Sequence, residues 1–443
     1  MWNGLVPGVR DSQARADERS LNPRTEARRK TRPPVAPPGR YHPAMRIRSI
    51  EALRYVPPAL PPAAGARRPS WRETFKAASP MSKYAPRSDM YPASWENVWV
   101  RVTAEDGTTG YGATHHGRPV ATLIEDHLAP LLIGEDPMAT ERCWDLMFRA
   151  TRAYGSGGIT SYAISAVDLA IWDLKGKLLD RPVYELIGGR VHDDLPAYAT
   201  GNDVDWALEC GFTSFKLARP YGPYDPDGIE RTFDYLAPVR ELIGPKADLM
   251  LDCWMTFDVD FTVRLAERLR PLGMRWLEEY LDPEDVAGHA EVRRRLPWQT
   301  LAGGEHLFTR YPFAQVIADR SLDILQPDIT WVGGLTETIR ICHLAAAANL
   351  PVILHGGGLN QWGLHLSVAM PNVPMVEFFV GSAPGVPLDD QIHSRRDLIW
   401  GPAVRAVPVN GRIAPADGPG FGLELEDGWF EPWDTSPRSS RTP

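Results

Sequence analysis

Cysteine is scarce. Only four occur in 443 residues (Cys143, Cys210, Cys253 and Cys342), and no two lie at the spacing of a metal-binding pair. That pattern argues against a disulfide framework and fits reduced thiols in a cytoplasmic enzyme. No apolar run approaches the ~18 residues of a membrane span, so no membrane role is expected. Basic residues are outnumbered, 48 Lys and Arg against 56 Asp and Glu, for a net charge of −8. Such a balance argues against nucleic acid as the main partner. It still admits an anionic small molecule where a divalent cation inverts the local field. Internal repeats are missing too, apart from one long period described below.

The chain is longer than one typical domain, which predicts a barrel of about 250 residues plus a second domain. Residues 1–44 are Arg- and Pro-rich without periodicity and read as a disordered or non-native extension. From Met45 to about residue 185 an α+β capping domain is expected. There, RIRSIEALRYV and ENVWVRVTAEDGTTGYGAT alternate like half-buried strands, with Asp106-Gly107 as a tight turn. Between them lies a Pro- and Ala-rich loop of the kind that often forms a lid. Helical spacing follows over Pro119–Leu132, Met138–Ala153 and Ser161–Leu179. Residues 186–400 read as a (β/α)8-type barrel. Residues 401–443, with Trp429 and Trp433, read as a segment packing back on the cap.

The barrel expectation rests on the long period. Short apolar runs end in turn on Asp252, Glu278, Glu305, Asp328 and His355, at intervals of 26, 27, 23 and 27 residues. A strand, a helix and two connections need roughly 30 residues. LPAYAT and SFKLAR supply strands one and two, and MVEFF, carrying Glu377, the eighth. In such a barrel all the strand C-termini face one mouth, where catalytic groups gather. Asp252, Glu278 and Glu305 then offer three hard oxygen ligands, suited to Mg²⁺ or Mn²⁺. Without a cation they would repel one another, at a desolvation cost of several kcal/mol. Asp328 beside His355 would fix one ring nitrogen and raise the basicity of the other. Glu377 and Lys216 face the same mouth. Together these groups suit abstraction of a proton next to a carboxylate, because the second negative charge of an enediolate needs a cation and nearby donors.

The motifs TTGYG, SAVDLAIWDLKGK, PVYELIGG, MLDCW, WLEE, GGEH, QPDITWVGGLTE, LHGG and VPVNGR resemble the enolase superfamily, mandelate racemase subgroup. The resemblance runs from Met45 to the C-terminus. Within that subgroup PMSKY, YGSGGITSYAIS, YATG and MLDCWM are similar to the L-rhamnonate dehydratase branch. The resemblance implies an enolase-like modified barrel and one Mg²⁺ per subunit, held by Asp252, Glu278 and Glu305. It also implies His355 as the base, supported by Asp328, with Glu377 stabilising the enediolate. Arg87, three residues past PMSKY, would grip the sugar acid. Homo-oligomers, from dimer to octamer, are the expected assembly. Racemases of the subgroup carry Lys-x-Lys on strand two, but here the text is Lys216-Leu217-Ala218. One base would then remove the C2 proton and protonate the departing C3 hydroxyl, a syn elimination giving a 2-keto-3-deoxy acid. Residues 46–114 contain no His to match a substrate-contacting His of that branch. L-lyxonate or L-mannonate therefore stand beside L-rhamnonate as expected substrates. His115 and His116 are candidates for contact from a second loop. A racemase, epimerase or cycloisomerase is the alternative within enzymes. A barrel that has lost catalysis would show an eroded triad or dyad, and neither is eroded.

Overall fold

Alternation in the first strands builds an antiparallel sheet. β1 (Ile47–Tyr55), β2 (Val98–Ala104) and β3 (Thr109–Thr114) pair in order, and β12 (Phe430–Pro432) adds to the free edge of β1. This is the computed structural model of the chain, and it describes residues 45–56, 79–84, 96–218, 221–388 and 406–433. The turn between β2 and β3 works because Gly107 takes φ +90 and the Asp106 carboxylate accepts from Thr108 N at 2.9 Å. At the other end of the chain, the Trp433 indole donates to Leu53 O at 3.0 Å, and Trp429 meets Tyr55 edge to face.

Helix α2 (Ile159–Leu178) lies against β2 and β3, and α1 (Thr140–Thr151) packs on α2. Of the expected helix over 119–132, the structure forms Gly117–Leu123 and Ala129–Leu132, with one wider turn between them. The helix α2 is buried almost all round, because it lies between the small sheet and the barrel. TTGYG explains how it comes so close to β3. A Cβ on Gly112 would stand 2.1 Å from Ala166 O and 2.6 Å from Ala170 N, both backbone atoms of α2. Gly112→Ala is therefore expected to push α2 off the sheet, at a cost of about 1–3 kcal/mol or more. A lowered urea midpoint in that variant checks the packing; an unchanged midpoint contradicts it.

The second sheet is parallel. It runs β4 (Leu195–Thr200), β5 (Ser214–Ala218), β6 (Asp248–Asp252), β7 (Trp276–Glu278), β8 (Leu301–Gly303) and β9 (Ile324–Leu325). β10 (Val376–Phe379) returns to pair with β4, and β11 (Arg412–Ile413) joins β4 antiparallel. Helices α3 (Gly228–Ile243), α4 (Val259–Leu269), α5 (Val286–Arg295), α6 (Arg310–Asp319), α7 (Gly334–Ala347) and α8 (Gln361–Ala369) fill the crossovers. The expected seventh strand, VILH, is reduced to a single parallel bridge between Leu325 and Val352. The turn Leu354–Gly357 follows at once and carries the chain out of the sheet. The architecture is an enolase-like curled parallel sheet with an antiparallel cap.

Tyr198, Met250, Trp276, Ala302, Ile324, Ile353 and Met375 form one buried cluster inside the barrel. Side chains of a strand alternate, so the residue two further on faces the same way, one layer nearer the mouth. That residue is Asp252 after Met250, Glu278 after Trp276 and Glu377 after Met375, while His355 follows Ile353 from the turn beyond the seventh run. The apolar plug is thus the floor on which the polar groups stand. No helix among the described residues is long and apolar enough to cross a membrane, and all four cysteines are free.

Candidate active site

Asp252 and Glu278 end adjacent strands and are partners in register. Directly after them the backbone is strained. Trp254 (φ 43), Met255 (φ 58) and Glu279 (φ 48) all take the left-handed conformation that non-glycine residues avoid. Each such residue costs about 1–2 kcal/mol, and the turns it makes end the strands where the carboxylates emerge. Trp254 N is held by Asp252 Oδ1 at 3.0 Å. Glu305 stands two residues beyond β8, not at its end, because Gly303 and Gly304 carry the chain round first.

Lys216 of β5 is 1% exposed and lies between two acids. Its ammonium pairs with Glu278 and, at 2.6 Å, with Glu377 Oε1. Burial works against the Lys216 charge, but Glu278 and Glu377 hold it well above its ordinary pKa. Glu377 also accepts from Thr200 Oγ1 at 2.5 Å and from Gly356 N at 2.8 Å. Its carboxylate stays low despite burial, chiefly through Lys216 and His355. Glu278 takes further bonds from the Trp276 indole (2.9 Å) and the Gln326 amide (2.8 Å). Burial nevertheless pushes Glu278 up to about 7, with Asp252 and Glu377 adding repulsion.

The His355 ring meets Asp328 Oδ2 at Nδ1, 2.8 Å away, and Glu305 Oε2 lies 3.4 Å from Nε2. Burial disfavours the imidazolium, yet Glu305, Asp328 and Glu377 together raise the His355 pKa to about 10. Burial raises Glu305 to about 8; the His355 and His306 rings favour its charge, while Glu279 and Asp252 repel it. Asp328 Oδ1 accepts from both Thr330 N and Thr330 Oγ1 at 2.7 Å, so the carboxylate cannot turn.

Among the described residues, the group of potential metal ligands whose atoms all lie within 4.8 Å of one another is Glu279, Glu305 and His306; the expected triad of Asp252, Glu278 and Glu305 is not drawn together to that distance. Part of that closeness is a hydrogen bond, from the His306 ring to Glu279 Oε2 at 2.9 Å. Burial opposes both charges, but the pair sustains them: Glu279 sits below its usual range and His306 rises to about 9. Neither residue stood out in the sequence, although the doubled acid of WLEE and the His of GGEH were the available signals.

The structure thus gathers Glu278, Glu377 and Lys216 on one side and Glu305, His355 and Asp328 on the other. Asp252 is felt by Glu278 and by Glu305. Arg87 lies outside the described residues. His115 is 8% exposed and meets the Trp331 ring edge on at 5.9 Å. The His116 ring meets Tyr162 at 4.4 Å. The Trp331 ring also lies 4.8 Å from His355, so these aromatic contacts join the cap to the His355 imidazole.

Asp252, Glu278 and Glu305 fit a divalent cation. They are hard oxygen donors, Asp252 repels both glutamates, and burial has driven Glu278 and Glu305 far above ordinary carboxylates. A divalent cation would let both ionise together, beyond what Lys216 does for Glu278 and the His355 and His306 rings do for Glu305.

Two family profiles match the chain: "Mandelate racemase / muconate lactonizing enzyme, N-terminal domain" over residues 92–188, and "Enolase C-terminal domain-like" over residues 202–429. The L-rhamnonate dehydratase of Saccharopolyspora erythraea is 40% identical over 357 residues, 79% of this chain and 89% of that protein. Among solved structures, L-rhamnonate dehydratase from Gibberella zeae superposes with TM-score 0.78 at 31% identity, covering 88% of this chain and 96% of that one. Rhamnonate dehydratase from the same organism complexed with Mg gives TM-score 0.77 at 31% identity, over 88% and 97% of the two chains.

Proposed function

Because the chain belongs to the enolase superfamily, in its mandelate racemase and muconate lactonizing branch, we propose that it is a Mg²⁺-dependent acid-sugar dehydratase. It removes the C2 proton of an aldonate, eliminates the C3 hydroxyl and releases a 2-keto-3-deoxy acid. L-rhamnonate is the leading substrate, with L-mannonate and L-lyxonate beside it. The observation that carries the proposal is the His355–Asp328 pair standing against Glu305 at the barrel mouth.

Asp252, Glu278 and Glu305 would hold Mg²⁺, with Mn²⁺ as a substitute. When bound, the ion lowers the cost of placing a second negative charge on the substrate carboxylate. Asp328 occupies Nδ1 of His355, so Nε2 is the edge offered to the C2 proton. Glu305 is the largest support for the imidazolium after burial is counted; neutralising it returns His355 toward a base. The proton taken from C2 then goes from Nε2 to the C3 oxygen as that hydroxyl departs. Lys216 is held charged by Glu278 and Glu377, which makes it a partner for anionic oxygen and a poor second base. Glu377 faces the same region from β10. Arg87 completes the proposed substrate contacts. The same proposal takes residues 45–185 as cap, 186–400 as barrel and 401–443 as returning segment, in a cytoplasmic homo-oligomer.

A library of aldonates incubated with Mg²⁺ and read with semicarbazide tests the activity. The expected result is keto-acid from L-rhamnonate and its close stereochemical relatives. C2 exchange in D₂O with inverted configuration, and no keto-acid, would instead place the protein among the racemases.

A further inference from the structure

The loop that carries Asp328 does not stand on the barrel alone. Thr114, the last residue of β3 in the antiparallel sheet, is fully buried and donates from Oγ1 to Thr330 O at 2.6 Å. Thr330 in turn gives both its N–H and its hydroxyl to Asp328 Oδ1, and Asp328 Oδ2 holds His355 Nδ1. A line of hydrogen bonds, buried up to Asp328, thus runs from the cap sheet to the imidazole.

The far end of the same loop is tied down from the cap as well. Gly333 N donates to Ser165 Oγ of α2 at 2.8 Å, and the Trp144 indole of α1 donates to Gly333 O at 2.8 Å. Beyond it, Thr336 N and Oγ1 both bond to Asp168 of α2 (2.9 and 2.6 Å), with the Trp172 indole on Thr336 Oγ1. Between the two ties, Trp331 stacks on Tyr162 of α2 at 5.5 Å and contacts His355 on its other side. The backbone of Asp328–Val332 is a tight turn, with Asp328 O accepting from Trp331 N and Val332 N. A shift at Thr330 O therefore moves the carboxylate directly.

We propose that Thr114 is a positioning residue for the proton transfer: the cap, through Thr114 and Ser165, sets the orientation of Asp328 and hence of His355. The cap then does more than close over the mouth. It completes the base, and a displaced cap leaves the imidazole misaligned. This rests on His355 acting as the base of the proposed dehydration.

Thr114→Val keeps the shape and removes the donor; Thr114→Ser keeps the donor. In the valine variant kcat is expected to fall about 10- to 100-fold, the usual effect of losing a partner behind a catalytic group, with KM within about twofold of the parent. The serine variant is expected to restore kcat. A crystal structure of the valine variant with Mg²⁺ gives a readout independent of substrate, and the Thr330 carbonyl should be rotated and the His355–Asp328 contact lengthened. Parental kcat with valine, equal loss with serine, or an unmoved Asp328–His355 pair would each overturn the proposal. Should the valine chain not fold, Ser165→Ala cuts the other tie and is read in the same way. If the parent turns over no aldonate, the dehydratase proposal fails, while the crystallographic comparison still decides the role of Thr114.

Discussion

His355→Asn is expected to lose about 10²- to 10⁴-fold in keto-acid formation, the usual worth of a positioned acid-base group, while Mg²⁺ still binds. Asparagine is smaller than the ring but can set its amide nitrogen near the place of Nδ1 and donate to Asp328, so the buried carboxylate keeps a partner. What it cannot do is accept a proton at the place where Nε2 stands beside Glu305. The effect should fall on kcat and kcat/KM together, because the lost interaction exists only in the transition state. Calorimetry with Mg²⁺ separates this from collapse of the mouth. Near-parental turnover in the variant would remove His355 from the chemistry.

Glu305→Gln is the second large effect, and it acts on the cation. In the parent, Glu305 is 3% exposed; the His355 and His306 rings favour its charge and Glu279 and Asp252 oppose it, but burial outweighs both and keeps the ionised carboxylate costly. The neutral amide removes the repulsion and one anionic ligand together. Without metal, the variant should therefore be at least as stable as the parent. With metal the order reverses. A parent at a hundredfold excess of Mg²⁺ over Kd gains about 2.7 kcal/mol, and most of that gain should vanish in the variant, along with activity. Melting each protein in EDTA and in Mg²⁺ shows both effects. An equal rise in Tm for parent and variant would mean that Glu305 is not a ligand.

Much of this site was legible because a parallel barrel writes its period into the chain. Once strands recur every twenty-odd residues, Asp252 and Glu278 fall at strand ends whatever the helices between them look like, while Glu305, Asp328 and His355 stand in the loops just beyond. Side-chain alternation over an apolar floor does the rest, since Met250, Trp276 and Met375 each precede an acid by two. Spacing carries no information about what meets across the chain. That Lys216 sits between Glu278 and Glu377 depends on β10 closing against β4. The Glu279–His306 pair depends on a left-handed turn at Glu279, which breaks the alternation one residue after Glu278. The bond from Thr114 to Thr330 joins residues 216 apart, and no local pattern marks it. The seventh strand failed to form as a strand because its apolar run is followed at once by a turn at Leu354–Gly357.

Two sets of ligands compete for the cation: Asp252 with Glu278 and Glu305, or Glu279 with Glu305 and His306. Soaking crystals in Mn²⁺ and recording anomalous diffraction at its absorption edge separates them directly. The peak is expected among the carboxylates of Asp252, Glu278 and Glu305, with the Lys216 ammonium withdrawn from Glu278. A peak bonded to a ring nitrogen of His306 and to Glu279, with Asp252 left out, would contradict the ligand set on which the proposed chemistry stands.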